Sequence, residues 1–220
     1  MRRFDGLFAI AANRKGGAGA LEGMLSKPTP PAELAKTPDS QWLETLSKSV
    51  FQAGFSWKVI EAKWDGFREA FHDFDPGWCA LMDDAVFDAL ITDTRIVRNG
   101  PKILTVRDNA AFLNTLRESG GAGTVLGGWP SNDFVGLLEF LKKNGSRLGG
   151  ATGQYSMRFM GRDAFILSRD VTARLIAEGV IDKPATSKGA MKKVQGAFNI
   201  WMTQSGRSLS EISRVLAMSL

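Results

Sequence analysis

The chain has 220 residues, 44% of them hydrophobic, and a formal charge of +5, enough apolar material for one sizeable core or two small lobes. Its single cysteine, Cys79, excludes an internal disulfide framework and fits a reducing compartment. No run approaches the roughly 18–20 apolar residues that cross a bilayer as a helix. The basic balance suits a polyanionic partner, because Lys and Arg displace counterions from phosphates; many basic proteins bind no nucleic acid, so charge alone leaves function open.

Helical periodicity runs through the chain. Met1-Arg2-Arg3 and the run Leu7-Phe8-Ala9-Ile10-Ala11-Ala12 imitate a leader, but the run is short and Arg14-Lys15 follow, so it reads as a first helix. Lys27-Pro28-Thr29-Pro30-Pro31 is read as an extended, flexible link. Trp42, Leu43, Leu46 and Val50 share a face, and Val59, Ile60, Trp64, Phe67 and Phe71 form a second stripe, ended by Asp75-Pro76-Gly77. Asp83 or Asp84 can cap a helix carrying Val86, Phe87, Leu90 and Ile91. Asn99-Gly100-Pro101 reads as a turn, and Gly120 to Gly128 as an irregular connection.

Ser131 opens a helix with Phe134, Leu137, Leu138 and Leu141 inward, closing on Lys142-Lys143-Asn144-Gly145. Helices follow from Thr152 to Met160 and from Val171 to Glu178, then one marked by Met191, Val194, Phe198 and Trp201. The last opens on Ser208-Leu209-Ser210-Glu211, a capping box. No period-two strand stands out. The expectation is an all-α fold in a single domain over 1–220, with an N-terminal helix and linker over 1–35. A cytoplasmic, nucleoid-associated protein without a membrane segment is expected, and nothing requires more than a monomer.

Two segments narrow the function. The first contains Phe51-Gln52-Ala53-Gly54-Phe55-Ser56-Trp57, Phe71-His72-Asp73-Phe74-Asp75-Pro76, Ile96-Val97-Arg98 and Lys102-Ile103. This series resembles the QAG-x-SW, FHxFDP and IxR…KI motifs of the DNA-3-methyladenine glycosylase I family. The second, Leu141-Lys142-Lys143-Asn144-Gly145-Ser146-Arg147-Leu148-Gly149-Gly150-Ala151-Thr152 with Tyr155, is similar to that family's helix-hairpin-helix, placed here at about 134–160. Together they cover about residues 45 to 160.

The hairpin also has a reading of its own. Gly145, Gly149 and Gly150 permit a tight turn, and a helix starting near Thr152 would aim free N–H groups outward at a phosphate, with Lys142, Lys143 and Arg147 adding charge. A Gly-rich helix cap with solvated lysines is the bland alternative; beside the family motifs, DNA-backbone docking is preferred.

The resemblance implies a base-excision repair enzyme that flips an alkylated purine from double-stranded DNA and hydrolyses its N-glycosidic bond. It places Ser49, Gln52 and Trp57 at the base pocket, with Trp57 stacking on the flipped base and Phe55 plugging the vacated duplex. Core packing is the competing role for either aromatic. Where the family carries a pocket carboxylate, three residues before the Gln of QAG, this chain has Ser49, a hydroxyl that cannot balance a cation; Glu44 is near in sequence. Family members hold zinc with two Cys and two His. Cys79 and His72 supply two ligands of the usual four, so no zinc and no other cofactor is expected.

Asp163-Ala164-Phe165-Ile166-Leu167-Ser168-Arg169-Asp170 resembles the F-x-V-D segment of the wider superfamily, which makes Asp170 the candidate catalytic carboxylate; as an alternative, Asp170 is an N-cap of the helix at Val171. Bifunctional relatives carry a Schiff-base lysine just after the hairpin glycines, where this chain has Thr152, so a monofunctional enzyme is expected. Two alternatives stay open: a non-catalytic binder of DNA lesions or DNA structure on the same scaffold, and a helical protein-interaction domain with coincidental charge.

Overall fold

The computed structural model describes all 220 residues, Met1–Leu220. Every regular element is helical, so the chain is all-α. In chain order the α-helices are α1 (Phe4–Arg14), α2 (Ala18–Glu22), α3 (Pro31–Leu34), α4 (Asp39–Gln52), α5 (Trp57–Ala62), α6 (Trp64–Ala70) and α7 (Pro76–Ala80). Then come α8 (Asp84–Thr92), α9 (Gly100–Thr115), α10 (Phe134–Asn144), α11 (Ala151–Phe159), α12 (Arg169–Ala177), α13 (Lys188–Ser205) and α14 (Leu209–Met218). None is long and apolar enough to cross a membrane. The residues form two compact units: one takes 30–129 and 138–160, the other 1–29, 130–137 and 161–220. One unit boundary falls within the Pro-rich link, between Thr29 and Pro30.

The first unit is built on α4 and α9, which pack together. The apolar stripe of α4 buries Trp42, Leu43, Leu46, Val50 and Phe51, the face that a 3.6-residue period predicts. The stripe over 59–71 is not one helix. The chain breaks at Lys63 (φ −105°, ψ 1°) into α5 and α6, and Val59, expected in the core, is exposed. The break re-aims α6 so that Trp64 and Phe67 join an aromatic stack. The Trp64 ring lies 4.9 Å from Phe67 and 5.4 Å from Phe74, which in turn lies 5.5 Å from Phe71. His72, Asp73 and Phe74 all adopt left-handed φ values of 50–56°, uncommon away from glycine. Burial of Phe74 within the stack offsets that strain.

Local signals are honoured around this core. Asp83 caps α8, its Oδ1 accepting from the Val86 amide at 2.9 Å. Asn99-Gly100-Pro101 is a helix start rather than a turn: Asn99 caps α9 by accepting from the Lys102 amide, and Pro101 sits in the first turn, where its missing N–H costs nothing. The Gly-rich stretch is packed rather than irregular. Gly123–Gly127 forms one wide helical turn against α3, and a Cβ on Gly123 would lie 2.3 Å from the Leu34 carbonyl oxygen. Close approach, not flexibility, is what that glycine provides.

The second unit gathers α1, α2, α12, α13 and α14. Phe198 of α13 lies 4.6 Å from Phe165 and 5.7 Å from Trp201, so the last 60 or so residues are held by the packing expected of Phe198 and Trp201. The Ser208–Glu211 capping box is present in both directions. Polar ties add to the packing. The Trp201 indole donates to the Arg2 carbonyl at 3.1 Å, and the Phe4 amide donates to Gln204 Oε1 at 2.9 Å. The extended residues before α12 run along α14, where Ser210 and Ser213 each bond both backbone groups of one residue, Ala164 and Ile166 respectively. Two buried serines thus do the work of a neighbouring strand.

Cys79 is fully buried, and its Sγ–H donates to the Phe71 carbonyl at 3.4 Å. Burial, with a smaller contribution from the charge of Asp75, pushes the thiol up to about 12 from its ordinary 9.0. The folded protein should therefore not react with a disulfide thiol reagent at pH 8, and should release one equivalent on denaturation. Because the unfolded chain loses this proton first, the stability it confers is complete below about pH 9 and is lost as the pH climbs toward 12. Urea titrations at pH 8 and pH 10 check that sign.

Candidate functional site

The C-terminus of α4 leaves carbonyl groups without intrahelical partners. Here a buried lysine takes them. Lys102 Nζ donates to the carbonyls of Val50 at 2.9 Å, Phe51 at 3.1 Å and Ala53 at 2.5 Å. All three ammonium donors are used, and the cation sits at the negative end of the α4 dipole. Burial, and secondarily the charge of Arg147, pull Lys102 below its usual range. Phe55 lies with its ring centroid 4.4 Å from the same nitrogen, still partly exposed. The turn of Gln52, Ala53, Gly54 and Phe55 is therefore clasped from α9.

Next to this turn is a pocket of about 180 Å³ lined by Ser49, Gln52, Ala53, Gly54, Trp57, Ala151, Thr152 and Tyr155. That volume resembles the roughly 150 Å³ of cavities that accept a single aromatic ring. All three residues expected at the base pocket, Ser49, Gln52 and Trp57, are in its wall. Trp57, the first residue of α5, is 46% exposed. Its indole meets Tyr155 edge-on at 5.7 Å and Phe159 at 5.8 Å. Both phenyl rings project from α11, which packs on α4. Phe159 was not foreseen, since an exposed aromatic one turn beyond Tyr155 carries no signal without the partner ring.

The hairpin between α10 and α11 forms another part of this region. Asn109, buried in α9, grips it from beneath: Oδ1 accepts from the Ser146 amide at 2.7 Å and Nδ2 donates to the Ser146 carbonyl at 3.1 Å. Arg147 is held at φ 57°, a left-handed conformation, and Lys142, Lys143 and Arg147 are exposed around the turn containing Gly145 and Gly149. Gly150 (φ 60°, ψ −134°) occupies backbone space open only to glycine and precedes α11. No side chain caps that helix, so the first amides of α11, from the pocket-lining Ala151 and Thr152 onward, are left to an outside acceptor.

Residues 34–125 match the methyladenine glycosylase family. Through that segment, 92 of the 220 residues, the chain is similar to that family. Among curated proteins it is similar to DNA-3-methyladenine glycosylase 1 of Escherichia coli, 33% identical over 92 residues, covering 37% of this chain and 49% of that protein. It is also similar to the DNA-3-methyladenine glycosylase of Haemophilus influenzae, 34% identical over 83 residues, covering 37% and 45%. The chain thus spans about half the length of the curated relatives it matches. A solved structure of 3-methyladenine DNA glycosylase I from Staphylococcus aureus, concerned with its recognition of 3-methyladenine, shares the fold at 22% identity and a TM-score of 0.52, covering 62% of this chain and 80% of that one.

Against the methyladenine glycosylase pattern the departures are now located. Cys79 is committed to the Phe71 carbonyl, and the His72 ring stacks on Trp78 at 4.0 Å. No group of three or more His, Cys, Asp or Glu is placed to hold a metal ion, so these residues do not fit the family's zinc site. Glu44 is engaged elsewhere, accepting from Trp64 Nε1 at 2.7 Å and Arg68 Nε at 2.8 Å. Asp170 is not in the pocket wall and belongs to the other compact unit. Nor is it the N-cap of its helix. Ser168 caps α12, which starts two residues earlier than the periodicity suggests, and Asp170 pairs with Arg169 at 3.2 Å. The carboxylate that does cap a helix in that stretch is Asp163, which accepts from the Leu209 and Ser210 amides at the start of α14.

Proposed function

We propose that this chain removes a 3-alkylated adenine from duplex DNA by hydrolysing the bond between the base and C1′. One observation carries the reading: the aromatic-walled pocket and the uncapped start of α11 share Ala151 and Thr152. An extruded base stacked on Trp57 can therefore lie next to a backbone phosphate held by the α11 amides, as base flipping requires. Phe55, partly exposed on the clasped turn, is the side chain available to fill the gap in the duplex.

The chemistry asks little of the protein. A 3-alkylated adenine is cationic, so the C1′–N9 electron pair leaves with the base and neutralises it. Water then captures the sugar cation and gives up a proton. Holding the base out of the stack and in line with water supplies the rate enhancement. None of the eight pocket-lining residues is a carboxylate or a lysine, so no Schiff base forms and an abasic site remains. Asp170→Asn decides whether that carboxylate participates: a catalytic role costs turnover at unchanged lesion binding.

The deciding experiment incubates methylated duplex with the purified protein and identifies the released base, then tests the strand for alkali-labile but otherwise uncut sites. No released alkylpurine ends the proposal. Binding to lesion duplex without release would make the protein a lesion binder instead, a reading that Ser49 at the family's carboxylate position favours. Charge at the hairpin makes a separate prediction. Lys143→Ala and Arg147→Ala should weaken binding to undamaged duplex regardless of sequence. Each should reduce the slope of log affinity against log salt by about 1.

A further inference from the structure

We infer that Asn109 is a positioning residue for DNA: by fixing the peptide between Ser146 and Arg147, it sets the direction in which Arg147 meets a backbone phosphate. This rests on the proposed docking of DNA at the hairpin between α10 and α11, and adds what orients that contact. Asn109 is fully buried, and its side-chain amide takes both backbone groups of Ser146, the N–H at 2.7 Å and the carbonyl at 3.1 Å. That carbonyl belongs to the peptide leading into Arg147, so the plane against which the Arg147 φ is set is held from α9. Of the four non-glycine residues with left-handed φ, three are His72, Asp73 and Phe74, and the fourth is Arg147. Burial of Phe74 offsets the strain in the first three. Arg147 is exposed, so its own side chain supplies no such burial, and the bonds that fix the adjoining peptide come from Asn109. A strained backbone beneath an exposed cation belongs to the features that persist at ligand-binding sites.

Direction matters because reversing the sign of φ against a fixed peptide plane swings Cβ, and the guanidinium with it, to another side of the turn. In the observed conformation Arg147 acts on the Lys102 clasp. Burial first and the charge of Arg147 second hold Lys102 below its usual range, with no carboxylate to offset either. Two cations left together without an anion make a place that a phosphate would neutralise. Lys102 is itself committed to three carbonyls, which leaves the exposed guanidinium as the group with donors to offer. Asn109 and Lys102 are seven residues apart on α9, two turns of one face and about 10 Å along the axis. The same helix therefore holds the phosphate-directed arginine and the turn from Gln52 to Phe55. A phosphate fixed by the first stays in register with a base extruded beside the second.

The test is a double-mutant cycle on affinity of the full chain for undamaged duplex, read by fluorescence anisotropy across a salt series. Asn109→Leu keeps the buried volume and deletes both bonds. It should reduce the slope of log affinity against log salt by about 1 and weaken binding roughly fivefold to tenfold near 0.1 M salt, as Arg147→Ala should. In the Arg147→Ala background the same substitution should change affinity by less than about twofold, whereas in the Lys143→Ala background it should keep its full effect. An asparagine with a merely structural role would weaken binding by the same factor in all three backgrounds. That additivity overturns the inference and leaves hairpin docking intact. So does a wild-type slope in Asn109→Leu at native helix content by circular dichroism. Asn109→Ser, small enough to admit water at the vacated bonds, takes the place of the leucine variant in the cycle if the latter does not fold. Unchanged binding in both Arg147→Ala and Lys143→Ala overturns the docking reading, and the inference with it.

Discussion

Replacing Trp57 by alanine should lower release of 3-methyladenine from methylated duplex by roughly 5- to 150-fold, the equivalent of the ~1–3 kcal/mol that stacking of a base on an aromatic ring contributes. The fold should survive. Trp57 is nearly half exposed and is held by two edge-on ring contacts, each worth about 0.5–1.5 kcal/mol beyond burial, at the start of a six-residue helix. Affinity for undamaged duplex should stay within about twofold, because phosphate contacts, not the pocket, supply non-specific binding. Trp57→Phe should recover much of the loss, since a flat π surface remains. Equal release rates for wild type and Trp57→Ala would move the base-binding role away from this pocket.

The residues that form the pocket were legible because each carries a local signal or belongs to a dense motif. Ser49, Gln52 and Trp57 lie within nine residues of one another, and the end of α4 and the start of α5 hold them there. The cap at Asp83 and the Ser208–Glu211 box were equally readable, because capping is settled within four residues. What escaped depends on partners distant in sequence. The break at Lys63 follows from an aromatic stack that draws on Trp64, Phe67, Phe71 and Phe74 together. Gly123 looks like a flexible residue until Leu34 is placed against it. The start of α12 was displaced because apolar periodicity begins at Val171, whereas the cap at Ser168 is a hydrogen-bonding signal that precedes it. A carboxylate in an extended segment, such as Asp163, has no periodicity at all, and its role is decided by whichever helix start it reaches.

Lys102 is the largest of those omissions, and its removal should be the most damaging single change. Lys102→Met keeps the aliphatic stem but deletes the donors to the carbonyls of Val50, Phe51 and Ala53. Ala53 is exposed and its carbonyl can turn to water, whereas Val50 and Phe51 are buried. Two stranded buried acceptors at about 1–3 kcal/mol each put the loss near 2–6 kcal/mol. For a chain of this size, at about 2–4 °C per kcal/mol, that corresponds to a fall in Tm of roughly 4–24 °C. Burial already works against the ammonium, so the lysine persists at a cost that only the clasp repays. The clasp ends where Gln52 begins the turn into the pocket, and loosening it should disorder Gln52 and Phe55 before the rest of the unit melts. Excision by Lys102→Met should consequently be lost even at temperatures well below its own Tm, where far-ultraviolet circular dichroism still reports a native helix content. A variant that melts early yet excises normally in the cold would reduce Lys102 to a stability element with no part in shaping the site.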